Sequence, residues 1–159
     1  YKLSFFDYRN VEFQKVDEVA PYKTSFPVKL STGEPAYYNI YLRNDPRKLD
    51  DIEFDGKINF LPNMVINLNK DFNCDGDGVI AVANLVILLE KMGATVIKDE
   101  NASCDDAKKK YVYIDIKEGD ETKVEQSGIT CYDFYVNNCE ILDVTERFMF
   151  EAFKEIDKA

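Results

Sequence analysis

From residue 37 to 43 the chain reads YYNIYLR, with Tyr38, Ile40 and Leu42 alternating against Tyr37, Asn39, Tyr41 and Arg43. A period of two predicts a strand with one face covered. Asn44-Asp45-Pro46 should end it, because proline disfavours helix at the residue before it and Asn or Asp closes turns. Upstream, Phe5, Phe6, Tyr8, Phe13, Tyr22 and Phe26 are scattered among charges and broken by Pro21 and Pro27. Residues 1–35 therefore read as short strands and turns covering the core of a main body at 36–159, the whole forming one domain.

Between Lys57 and Asn69 one or two strands are expected, with Met64, Ile66 and Leu68 alternating against Val65 and Asn67 and a break at Pro62. The acidic, glycine-rich stretch NCDGDG at 73–78 then opens into a helix over about Val79 to Met92. Gly93 stands where a left-handed C-cap belongs, and Lys91 suits the negative end of the helix dipole. This helix is apolar on nearly every side, so cover on both faces is expected. A strand from Ala94 to Lys98 completes a strand, helix, strand unit whose strands should be parallel.

After a polar loop at 99–110, three consecutive strands are expected at Tyr111 to Lys117, Thr122 to Gln126 and Cys131 to Val136. Glu118-Gly119-Asp120 and Ser127-Gly128 would be their turns. A helix from about Val144 closes the chain. Asp143 and Glu146 make a D-x-x-E capping signal, and Ile141, Phe148, Met149, Ala152, Phe153 and Ile156 supply its apolar face. The predicted class is α+β: a mixed sheet of five to seven strands, one buried β-α-β crossover helix and a C-terminal amphipathic helix.

Composition narrows the function. Hydrophobic residues make up 45% of the 159, enough for one core burying roughly two thirds of the unfolded surface. A formal charge of -10 and the lack of any Lys or Arg run make nucleic acid an unexpected partner. The longest apolar stretch, Val79 to Leu89, is interrupted by Asn84 and falls short of the roughly 18 residues that a membrane helix requires. The chain begins at Tyr1 rather than Met, which is compatible with a signal peptide or membrane anchor upstream. There is no histidine, which removes Ser-His and Cys-His couples, HExxH zinc helices and Cys/His fingers.

Cys74, Cys104, Cys131 and Cys139 are not spaced as CxxC pairs, so two disulfides in an oxidising compartment are expected; four buried thiols are the alternative. Cys74 and Cys104 should both lie near the carboxyl-end rim of the parallel unit, where they can pair. Cys131 with Cys139 would then need a bent intervening segment. Eight extended residues span roughly 26 Å, against about 7 Å allowed between bonded Cα atoms. If residues 131–137 run straight, the other pairings win.

Four constellations carry candidate chemistry. Asn73, Asp75, Asp77, the Val79 carbonyl and Asn84 fit a calcium loop with Gly78 at the turn, resembling the loop and helix of dockerin-type repeats, but with neutral Asn at both ends of the shell. A register starting at Asp71 fails, because Val82 falls where a carboxylate should close the shell. On the plainer reading the glycines turn the chain into the helix, and Asp75 or Asp77 caps it. Arg43 and Arg47 around Asp45 can form an anion clamp or an internal ion-paired turn. Carboxylates pair at Asp50 and Asp51, Asp99 and Glu100, and Asp105 and Asp106, in polar segments that give little support to an acid-base couple. Asn101-Ala102-Ser103 is a glycosylation sequon.

NVEFQKV, YYNIYLRNDPRKLDDI, C-x5-IAVANLVILLEKMG, ITCYDFYVNNCEIL and TERFMF, taken together, resemble a group of membrane-anchored archaeal proteins over about Val11 to Phe150. RNDPRKL and CEILDVTERF are the specific parts. The resemblance implies an exported domain behind a single N-terminal transmembrane helix. It brings no calcium loop, so DGDG is a local departure. The expected function is non-enzymatic: a cell-surface domain with a protein partner or self-assembly in an envelope, with no cofactor. The alternatives are a small-ligand or hydrolytic domain using Arg43, Arg47 and nearby acids, and a calcium-stabilised module.

Overall fold

The computed structural model describes residues 4–9, 11–16, 21–29, 32–69, 72, 74–98, 100–104 and 110–157. Strands β1 (Ser4–Tyr8), β2 (Val11–Lys15), β3 (Tyr22–Lys29) and β4 (Pro35–Leu42) form an antiparallel sheet in chain order. A second, mixed sheet contains β5 (Glu53–Asp55), β6 (Asn63–Leu68), β7 (Thr95–Ile97), β8 (Val112–Glu118), β9 (Lys123–Gly128) and β10 (Cys131–Val136), in the order β5-β9-β10-β8-β6-β7. The helices are α1 (Pro46–Leu49), α2 (Asp77–Lys91) and α3 (Ile141–Asp157). The class is α+β, as the hydrophobic pattern predicts.

In β4 the period of two holds: Ile40 and Leu42 are buried, while Tyr37 and Tyr41 are exposed. The strand belongs to the first sheet, which therefore runs past residue 35 to Leu42. Pro27 does not break β3. It is paired opposite Tyr37 of β4, whereas β2 reaches only Tyr22 and Lys23, so the proline sits where β3 is paired on one side.

β6 and β7 are parallel neighbours on either side of α2, as the strand, helix, strand pattern predicts. Gly93 takes the expected left-handed backbone, with φ of 99°. The consecutive strands β8, β9 and β10 do not form a simple meander. β10 lies between the other two, parallel to β8 and antiparallel to β9, so Glu118-Gly119-Asp120 is not a hairpin turn. Cys131, Tyr132, Phe134 and Val136 are all buried in β10, and burial of its most apolar side chains favours the interior of the sheet.

α3 begins at Ile141, earlier than the capping signal suggests, and residues 144–150 are all buried. It lies between the sheets. Phe150 packs on Tyr8 and Phe13 of the first sheet, and Phe148 packs on Phe54, Tyr132 and Phe134 of the second. Its polar middle is satisfied rather than solvated: Thr145 donates to the Ile141 carbonyl, and Arg147 donates to the Ile52 carbonyl and pairs with Glu151. α2 is covered along one face only, through Ala81, Leu85, Leu88 and Leu89; Val79 and Ile87 are exposed. Cover on both faces is therefore not found.

Two disulfides are present, as expected, but not as Cys74–Cys104 and Cys131–Cys139: of the two alternative connectivities the chain adopts Cys74–Cys139 with Cys104–Cys131. β10 runs straight from Cys131, which carries Cys139 out of its reach, so each cysteine of this pair finds its partner elsewhere. Cys104 and Cys131 enclose a small second cluster with Val65 and Tyr111.

Candidate functional site

Chemistry-bearing side chains gather where β4 ends and α3 begins. The Arg43 and Asn44 main-chain N–H groups donate to the two oxygens of Glu146, each at 2.9 Å. The Asn44 side chain donates to Glu146 at 2.9 Å and to Asp143 at 2.8 Å. The segments RNDPRKL and CEILDVTERF thus interlock through Asn44. Asp143 and Glu146 do not cap their own helix: both carboxylates face a turn about a hundred residues away in the chain, and they fix it to α3.

Glu146 is 1% exposed. Burial pushes its carboxyl up to about 7 against three N–H donors that favour the ion, and Asp143 adds to the rise. Asp143 is also raised, chiefly by burial and further by Glu140 and Asp77. Every donor at Glu146 is engaged within this turn, so the carboxylate acts as a structural latch with no exposed face for a substrate.

Asp45 caps α1 by accepting from the Arg47 N–H, with Pro46 at the first helical position. The guanidinium of Arg47 binds the same carboxylate through two atoms, at 2.9 and 2.6 Å, and lies over the Phe6 ring. Arg47 is therefore held by Asp45, and the expected clamp with Arg43 is not formed. Arg43 makes a loose pair with Asp77 at 3.8 Å.

The calcium set is not drawn together. Asn73 lies outside the described residues. Asp75 is exposed with φ of 59°, and α2 already starts at Asp77 behind an uncapped Gly76, so neither aspartate caps it. Asn84 is then seven residues further along a continuous helix, roughly 10 Å from Asp77, whereas one ion's ligands all lie within about 2.6 Å of it. Among the described residues no group of three or more Cys, Asp or Glu is placed to hold a metal. Asp99, Asp105 and Asp106 lie outside the described residues; Asp50 is taken by Arg9 and the Tyr8 hydroxyl. Asn101 sits in a surface turn, where a sequon acceptor must lie.

Two hollows flank α2. One, of about 390 Å³, is lined among the described residues by Leu68, Phe72, Gly78, Val79, Val82, Ala83 and Ile141. Cys74 and Cys139, both in left-handed conformations just before α2 and α3, bridge its two helical walls. The other, of about 240 Å³, runs between β4 and α2, with Arg43 at one end. No local pattern announces either hollow, since each joins segments remote in sequence. Searches against protein-family models, curated proteins and solved structures find no match to the chain.

Proposed function

We propose that the chain is a non-enzymatic, exported or cell-surface domain that docks another protein, or joins an envelope structure, through the apolar hollow beside the Cys74–Cys139 bridge. The observation that carries this reading is the hollow itself. Among the described residues its lining has no charged or amide side chain, and Leu68 and Val79 stand 44% and 70% exposed at its mouth. Grouped exposed apolar surface of this kind is costly in water unless a partner covers it. The disulfide gives the site rigid walls, which lowers the ordering cost of binding.

Two disulfides suit an oxidising compartment, and the resemblance of the sequence to anchored archaeal proteins supports a place at the cell surface. No helix among the described residues is long and apolar enough to cross a membrane, so an anchor would be a separate segment. The occupied fork of Arg47 tells against a catalytic or anion-binding centre built on Arg43 and Arg47.

A photo-crosslinking amino acid at Val79, in cells that produce the protein, tests the reading. A discrete adduct in the envelope fraction that disappears with Leu68→Asp is expected. A protein confined to the cytosol with four titratable thiols, or adducts equally frequent from a probe at Lys48, would overturn it.

A further inference from the structure

The groove on the other flank of α2 has a different character. β4 is the outermost strand of its sheet, and four consecutive residues, Tyr38 to Tyr41, line the groove although alternate ones face opposite sides of that sheet. A hollow touching both sets must run along the edge of the strand. Ile80, Asn84 and Ile87 form the opposite wall, on a single flank of α2. The space is therefore bounded by the edge of β4, which pairs with β3 on its other side, and by an apolar helical flank with one amide.

We infer that this groove receives an extended segment of a partner protein, apolar at alternate positions and acidic at its ends, which adds to β4 as the fifth strand of the sheet. Strand addition draws affinity from main-chain hydrogen bonds and selectivity from pockets for alternate side chains. Here Ile40, Ile80 and Ile87 supply the apolar pockets, and Asn39 and Asn84 face the polar positions. From Ile80 to Ile87 the wall is about 10 Å long, the span of roughly three to four extended residues.

Charge selects the occupant. In a chain of net charge -10, the groove has a cation at each end: Arg43 at one and Lys91, 5.0 Å from the centroid of the Tyr38 ring, at the other. Asp77 pairs with the Arg43 guanidinium at 3.8 Å between partly exposed groups, weakly enough for an incoming carboxylate to replace it, while Glu146 and Asp143 beside the Arg43 main chain are held internally by Asn44. A second copy of this chain fits less well. Its β4 would bring its own α2, Arg43 and Lys91 to the same place, setting cation against cation.

The probe is a synthetic peptide of about seven residues, alternating valine and threonine with aspartate at both ends, titrated into the ¹⁵N-labelled, disulfide-bonded protein. Amide shifts are expected along residues 39–41 and 80–87. A lysine-ended version should bind at least about tenfold more weakly, and a version N-methylated on alternate amides should not bind. Ile87→Asp, at a position already 41% exposed, should abolish binding, and Val79→Asp should leave it unchanged. The inference fails on any of four outcomes: no shifts, shifts mapping instead to Leu68 and Val79, equal binding of the lysine-ended peptide, or dimerisation of the free protein through β4. Because Val79 and Ile87 are probed separately, loss of this site is distinguishable from loss of the apolar hollow.

Discussion

Asn44 and Glu146, 102 residues apart, are joined by two hydrogen bonds of 2.9 Å, one from the Asn44 main chain and one from its side chain. The same side chain reaches Asp143, so one amide holds two carboxylates and fixes the β4–α1 turn to the central helix. Removing the amide leaves the main-chain donors in place but strips one bond from each acid. Hydrogen bonds to charged groups are worth about 1.5–3 kcal/mol each, so Asn44→Ala, which removes two, is expected to cost about 3–6 kcal/mol. Urea unfolding checks this. Asn44→Asp should cost more, because it sets a third carboxylate against two.

Stability should respond to pH in a direction opposite to that of most acidic domains. The Glu146 carboxyl is raised from 4.5 to about 7 in the fold, so between those values the native state binds more protons than the unfolded chain. Stability then rises as pH falls from about 7 to 4.5, by about 3 kcal/mol for this group. Asp143, also raised by burial, acts in the same direction. Asp45 works the other way. Its bond to Arg47 lowers its pKa below 3.8, so the stability it contributes is present above about 3.8 and lost below. Urea midpoints should therefore be higher near pH 5 than near pH 8 and fall again under strong acid. Glu146→Gln should flatten the rise between pH 5 and 8, and a midpoint that climbs with pH in the wild-type protein would contradict the assignment.

The parts of this architecture that were legible in the sequence are those with local causes. The alternation of Ile40 and Leu42 against Tyr37 and Tyr41, the left-handed Gly93 and the parallel strands around α2 each follow from a few adjacent residues. The insertion of β10 between β8 and β9 has no such cause, because it depends on which strand carries the most side chains that need cover on both faces. Glu146 reads as part of a D-x-x-E capping signal, yet it is buried, as is the neighbouring Arg147. Their partners, the Asn44 turn and the Ile52 carbonyl, come from segments whose arrival cannot be inferred from the composition of α3. The same holds for the walls of both hollows.

Gly128 tests how tightly the second disulfide is packed. A Cβ built there would stand 2.9 Å from the Cys104 sulfur and 3.3 Å from the Cys131 sulfur. Those sulfurs belong to a bridge and cannot swing away as a free side chain would. Gly128→Ala should therefore force a backbone shift costing about 1–3 kcal/mol, seen as a lower thermal midpoint and as perturbed amides at Val65 and Tyr111, which pack in the same cluster. Gly33→Ala is the control: nothing lies within 4 Å of its Cβ, so any cost there reflects its φ of 86° alone.

The two bridges should contribute unequally. Cys74–Cys139 closes a separation of 65 residues and Cys104–Cys131 one of 27. On the chain-entropy account a cross-link stabilises by restricting the unfolded ensemble, by about 4 kcal/mol for the longer loop and about 3.5 for the shorter. Paired replacement of Cys74 and Cys139 by serine should thus destabilise more than replacement of Cys104 and Cys131. The longer bridge also holds the starts of α2 and α3 together, so its loss should loosen the walls of the apolar hollow, giving faster amide exchange at Gly78, Val79 and Ile141. Loss of the shorter bridge should leave those amides as they were. Denatured, unreduced wild-type protein should contain no titratable thiol. If the Cys104–Cys131 variant proved the less stable of the two, packing around Gly128 would outweigh loop length as the source of stabilisation.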